Sequence, residues 1–151
     1  MSRHKVLLTY KDDDGNFQIE SVWATMKGNY YEINNIPFFA SNIALGDLIS
    51  VEHDDGALYF DELIEPSGHS AIQIVFFDEK YMKQAERELE VFGCTWEGSH
   101  IKTLIAVDVP KNISYSIVKG YLDKGEKESK WSYKESCLAH NVSNKQSGNL
   151  K

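Results

Sequence analysis

The sequence predicts an α+β fold made of two unlike halves, a small N-terminal β-barrel or rolled sheet followed by a ferredoxin-like βαββαβ half. Three observations predict it. Residues 1–67 read as short strands between turn signals. Pro66-Ser67-Gly68 then breaks the pattern, and beyond it two stretches of helical spacing interrupt four strand-like runs. The 151 residues suit one domain, or two very small ones on a shared core.

The elements follow in order. Val6–Tyr10 is strand-like, and Asp12-Asp13-Asp14-Gly15-Asn16 supplies the Asp-Gly step that a tight hairpin needs. Phe17 to Met26 alternates, with Phe17, Ile19 and Trp23 on one parity and Gln18 and Glu20 on the other, the period of a half-buried strand. Lys27-Gly28-Asn29 turns the chain into Tyr30–Ile33. Leu48–Glu52 and Leu58–Ile64 form a second hairpin around Asp54-Asp55-Gly56. Five short strands in about 60 residues suit a barrel, whose closure hides the strand edges.

Past the break, Ala71–Phe77 is a strand and Asp78 can cap a helix on which Tyr81, Met82, Ala85, Leu89 and Phe92 recur, with Gly93 as its stop. Cys94 to Glu97 can form a short strand. Ile101–Val109 is too β-branched for a helix and Pro110 ends it. Asn112 or Ser114 can cap a second helix that buries Tyr115, Val118, Tyr121 and Leu122 and stops near Gly125. Trp131, Tyr133 and Cys137 share one parity of a last strand. The expected organisation is therefore residues 1–67, residues 68–139, and a disordered tail over 140–151 that lacks periodicity.

Composition removes several classes of function. With 42% hydrophobic and 26% charged residues the chain is neither disordered nor collagen-like. No apolar run exceeds four residues, so no membrane-spanning helix is expected, and the polar start Met1-Ser2-Arg3-His4-Lys5 reads as cytoplasmic. The net charge of −7 is unevenly placed. Residues 1–67 carry twelve acids against four bases, a net of −8, and the rest carry eleven acids and twelve bases. Such a field repels phosphate backbones and anionic lipid and attracts basic protein surfaces. Ile101–Val109 also lacks the stacking aromatics that RNA-recognition sheets carry on central strands, so nucleic acid is not an expected partner.

Metal and cofactor signals are weak. The five histidines show no paired spacing, and Cys94 and Cys137 read as buried thiols on opposite edges of the second sheet. Asp12-Asp13-Asp14-Gly15-Asn16 opens like a calcium loop, but Phe17 stands where that loop needs glycine and Trp23 where it needs glutamate. No cofactor is expected. Ser67-Gly68-His69-Ser70 is the most enzyme-like stretch, yet adjacent residues of an extended chain face opposite ways, so His69 does not activate Ser70. A linking role is the larger expectation, with His69 donating to a backbone carbonyl or to Asp61 or Glu62. Asn34 to Asn42 holds two adjacent aromatics, Phe38 and Phe39, that cannot both enter one core from an extended chain. One of them is a candidate interface anchor.

Glu20-Ser21-Val22-Trp23-Ala24, Asn35-Ile36-Pro37-Phe38-Phe39-Ala40, Gly46-Asp47, Ser67-Gly68-His69-Ser70 and Trp131-Ser132-Tyr133 with Cys137 together resemble an uncharacterised bacterial domain family of about this length. The resemblance spans roughly residues 18–140. It implies a bacterial cytosolic protein and brings no established reaction or catalytic residues. Small acidic bacterial α+β proteins of this kind are often immunity proteins, which neutralise a toxin encoded beside them.

The expected function is accordingly an immunity-type protein that binds and neutralises a cognate bacterial toxin, a basic nuclease, through its acidic surface. Asp54, Asp55, Asp61, Glu62 and Glu65 are its candidate partner-binding residues, with Phe38 or Phe39 as anchor. A small-molecule-binding regulatory module and an enzyme using His69, with Ser70 as a further polar residue, are the alternatives.

Overall fold

The computed structural model describes residues 3–140. It is a mixed α/β protein, mostly strands, with nine strands and two helices in two sheets among the described residues. The first sheet holds β1 (Arg3–Lys11), β2 (Phe17–Lys27), β3 (Tyr30–Ile33), β4 (Leu48–Asp54) and β5 (Ala57–Glu65). Successive strands pair antiparallel, and β1 also meets β5 in parallel at Val6 and Leu7, so hydrogen bonding runs around all five. The two-residue turn Asp55-Gly56 joins β4 to β5 with φ of 50° and 82°. Two consecutive positive φ angles define the turn whose twist suits a hairpin, and they explain the Asp-Gly pair.

The second sheet, ordered β7-β8-β6-β9, contains β6 (Ser70–Phe76), β7 (Thr95–Gly98), β8 (Leu104–Val109) and β9 (Trp131–Cys137), all antiparallel. A 3₁₀ turn (Glu79–Tyr81) leads into α1 (Met82–Val91), and α2 (Tyr115–Lys127) follows β8. Asp78 accepts a hydrogen bond from the Lys80 amide, as its capping position requires. Ser114 occupies the cap of α2 without a side-chain capping bond, and the helix continues past Gly125 to Lys127.

Each sheet has its own core. Val6, Leu8, Val22, Ala24, Ile33 and Ile49 fill the first. Ile72, Ile74, Phe76, Ile105, Val107 and Val109 meet Ala85, Leu89, Val118 and Leu122 of the helices in the second. β2 alternates with period 2, but its more hydrophobic parity is the outward one. Phe17 and Ile19 point outward, 72% and 57% exposed, and Trp23 lies outside with the Arg3 guanidinium over its ring, while Val22 and Ala24 face in. Glu20 shares the inward parity with Val22 and Ala24. The aromatic parity instead borders Lys5, Thr9 and Lys11 of β1 across the sheet.

A third cluster joins the two sheets: Ile36, Ala44, Ala71 and Ala106, with Phe38 and Cys137 against it. Alanines on β6 and β8 let the loop at residues 34–47 approach closely, and acids hold its backbone. The Glu20 carboxylate, on the inward parity of β2, accepts hydrogen bonds from the amides of Phe38, Phe39 and Ala40 at 2.5, 3.0 and 2.9 Å. Glu97 of β7 accepts from the Ile36 amide, and buried Asp47 accepts from the amides of Ala44 and Ser67. Gln73 of β6 donates to the Phe38 carbonyl and the Asn42 amide donates to the Ser136 carbonyl.

Two outcomes are expected from this packing. Glu20→Ala leaves three loop amides without their acceptor and costs about 2–4 kcal/mol in urea unfolding, with Glu20→Gln losing less. Gly125→Ala places a methyl 1.9 Å from the buried Trp131 ring and costs about 1–3 kcal/mol in the same measurement.

Candidate functional site

The acidic candidates share one hairpin. Asp54 ends β4, Asp55 is in the turn, and Asp61, Glu62 and Glu65 lie along β5, all exposed. Glu52 of β4 is exposed beside them. None of the six forms an ion pair among the described residues. The far half of β5 leaves the core, so Leu63 and Ile64 stay 41% and 39% exposed between Glu62 and Glu65. The adjacent aliphatic pair within Asp61-Glu62-Leu63-Ile64-Glu65 was the sequence signal for this apolar spot, since only one of two neighbours can face inward from a strand.

Phe38 and Phe39 lie elsewhere. Both are half-buried: Phe38 packs into the cluster between the sheets, and Phe39 stacks on Tyr10 with ring centroids 5.3 Å apart. Their amides are held by Glu20, so the segment is a strap across the seam. It does not join the acidic hairpin.

The Ser67-Gly68-His69-Ser70 stretch is the link into β6. Ser67 donates to the Leu45 carbonyl at 2.8 Å and accepts from the His69 amide. The partner of His69 is neither Asp61 nor Glu62. Its Nδ1 lies 2.7 Å from Oδ1 of Asp108, 39 residues on, because β8 runs beside β6 and pairs Val109 with Ser70. Burial pushes the Asp108 carboxyl above its ordinary value, although the His69 bond pulls it down. A lone acid in the otherwise aliphatic run 104–109 was the available sign that Asp108 had a specific partner.

Ser70 is fully buried. Its hydroxyl lies 2.6 Å from Nδ1 of His140 and accepts from the amides of Ala139 and His140. The Pro110 carbonyl lies 2.9 Å from His140 Nε2 and can only accept, which puts the ring proton on Nε2 and makes Nδ1 the acceptor of the Ser70 proton. Ser70 thus clasps the end of β9 to β6. A fully buried hydroxyl in that role is not an accessible nucleophile. His140, the first residue of the expected tail, belongs to this clasp, and residues 141–151 lie outside the described residues. His69 has the orientation of a carboxylate-steered base, with its ring more exposed than the Asp108 carboxylate that holds it.

Among the described residues no group of three or more His, Cys, Asp or Glu could hold a metal ion. The Asp12 carboxylate accepts from Asp14, Asn16 and Gln18, which shapes the β1–β2 turn, and the Asn16 amide is the main cause of its lowered pKa. Among the described residues no helix is long and apolar enough to cross a membrane.

A family model, described as a domain of unknown function (DUF4265), matches residues 20–133. The chain belongs to the DUF4265 family. The match takes in the Glu20 strap, the acidic hairpin and the His69–Asp108 link. Among solved structures, this DUF4265 chain is similar to a hypothetical protein from Neisseria gonorrhoeae, with a TM-score of 0.85 and 29% identity over 93% of this chain and 99% of that one. Comparison with curated proteins gives no match.

The two free thiols lie at opposite sides of the second sheet, Cys94 next to β7 and Cys137 on β9. Burial pushes each up to about 11 from an ordinary value of 9.0. Both are therefore neutral at pH 7.5 and are expected to resist iodoacetamide in the native protein and react fully in urea, read by mass spectrometry. Because the folded state disfavours the thiolates, this contribution to stability is complete below pH 9 and is lost as pH rises from there toward 11.

Proposed function

We propose that the chain is a protein-binding module of the immunity type, whose acidic β4–β5 hairpin docks on a basic partner protein, a nuclease toxin, and covers that partner's substrate-phosphate site. The observation that supports this reading is the hairpin's surface. On β5, Asp61, Glu62 and Glu65 flank exposed Leu63 and Ile64, Glu52, Asp54 and Asp55 extend the acidic run to the turn end of the same hairpin, and residues 28–79 contain no lysine or arginine. Exposed apolar side chains among acids are the composition of a docking surface, and the acidic field raises the encounter rate with a basic protein. Leu63 and Ile64 are the anchors in this reading, the role the sequence assigned to Phe38 or Phe39.

The same proposal takes residues 1–67 as a small five-stranded barrel and residues 68–139 as a ferredoxin-like half. The circuit β1-β2-β3-β4-β5 and the order β9-β6-β8-β7 support it. The cytoplasm is the proposed compartment.

The test pairs Asp61→Lys with Glu62→Lys and, separately, Leu63→Ser with Ile64→Ser, measured by surface plasmon resonance on the basic protein encoded beside this chain. Charge reversal is expected to slow association about ten-fold or more at low salt. The apolar pair is expected to speed dissociation. All four sites are exposed, so thermal midpoints should move only a few degrees. Affinity indifferent to both salt and charge reversal overturns the proposal.

A further inference from the structure

A cleft of about 380 Å³ lies at the seam of the two sheets, within the size range of small-molecule sites. Its apolar surface comes from both sides of the seam. Tyr10, on the inward parity of β1 with Val6 and Leu8, and Phe39 of the strap stack with ring centroids 5.3 Å apart and form one wall. Val75 of β6 and Leu104 of β8, directly opposite each other, form the second, and Ile101 of the β7–β8 loop adds to it. Val75 and Ile101 are 40% and 44% exposed, so this aliphatic surface is left open by the fold itself.

Two polar groups share the sheet face that carries Val75. Lys134 of β9 stands directly opposite Gln73 of β6, and the side chains of such a pair project from one face, as do residues two apart on a strand. The Phe38 carbonyl can only accept, so Gln73 turns its Nε2 to that oxygen at 2.9 Å. That leaves Oε1, which has no donor among the described residues, as the unspent end of a cleft-lining side chain. Lys134 has no ion pair among the described residues either. Lys11, Asp12 and Asp13 complete the rim. Lys11 lies over the Phe17 ring at 5.3 Å, and the Asp12 carboxylate takes three hydrogen bonds within its own turn. Two lysines against two aspartates balance the cleft, so a ligand without net charge suits it best.

We propose that this cleft binds a free α-amino acid with an apolar side chain. Lys134 holds the carboxylate, Gln73 Oε1 accepts from the ammonium, and the side chain lies between the Tyr10–Phe39 wall and Val75, Leu104 and Ile101. An apolar acid without the ammonium, or an amine without the carboxylate, leaves one of the two polar groups unmatched and brings net charge into a balanced cleft. The site uses no residue of the β4–β5 hairpin, so it stands or falls independently of the docking proposal.

The full chain is titrated by calorimetry with L-phenylalanine, L-leucine, 3-phenylpropionate and phenethylamine. At least one amino acid is expected to saturate the protein with one-to-one stoichiometry and to raise its thermal midpoint. The two phenylalanine analogues are each expected to bind about ten-fold more weakly than phenylalanine. Lys134→Gln, at an exposed site, is expected to keep the thermal midpoint of the free protein, to weaken phenylalanine by about ten-fold and to remove the preference for it over phenethylamine. Ile101→Ser is expected to weaken phenylalanine by about five-fold through lost apolar contact. No saturable heat with either amino acid up to about 10 mM, or equal affinity in wild type and Lys134→Gln, overturns the proposal. Equal affinity for phenylalanine and 3-phenylpropionate overturns the role given to the ammonium.

Discussion

One carboxylate gathers the structure. Glu20 stands on the inward parity of β2, and through its two oxygens it collects the amides of Phe38, Phe39 and Ala40. Without that acceptor the three donors would lie part-buried without a bonded partner, an arrangement each amide resists by about 1–3 kcal/mol. With it, the loop takes one course. Ile36 and Ala44 then lie on Ala71 and Ala106, the Phe38 carbonyl meets Gln73, and the two sheets have a shared seam. Asp47 and Glu97 extend the same device to the amides of Ala44, Ser67 and Ile36. A loop with three asparagines and a proline offers few backbone pairs of its own, and acidic side chains from β2, from β7 and from its own last residue supply what a strand partner would otherwise give.

This device also explains where reading the sequence succeeded and where it stopped. Turn chemistry is local, so Asp55-Gly56, Gly93 and the cap at Asp78 announced the elements they bound. The helix stripe through Ala85 and Leu89 was legible because a 3.6-residue period needs no partner to be recognised. The facing of β2 was not legible. Phe17, Ile19 and Trp23 form the more hydrophobic parity, and the need for Glu20 beneath the strap turns them outward. The partner of His69 was equally out of reach, because the 39 residues to Asp108 are bridged by sheet order and not by local spacing. The residues of the seam could be seen as a pattern before their purpose could. Asn35 to Ala40, Gly46-Asp47 and Ser67 to Ser70 marked the family, and they are the segments that tie the halves together.

Charge counting shows the same limit. Glu20 and Asp47 belong to the −8 of the first half, yet they accept backbone hydrogen bonds and are not part of the surface hairpin. What remains is sharply divided. The β4–β5 hairpin carries acids and no lysine or arginine, while β1 carries Arg3, Lys5 and Lys11 on its outer parity. Because β1 pairs with β5 at Val6 and Leu7, a cationic strand runs beside the acidic hairpin.

That division sets the electrostatics of the hairpin. Unit charges on the order of 10 Å apart interact by roughly 0.4 kcal/mol in water, before salt screening over a Debye length of about 8 Å. Six acids on one hairpin with no ion pair among the described residues therefore repel one another weakly and additively. The repulsion is tolerated because strand pairing and the Asp55-Gly56 turn, not charge, hold the hairpin together.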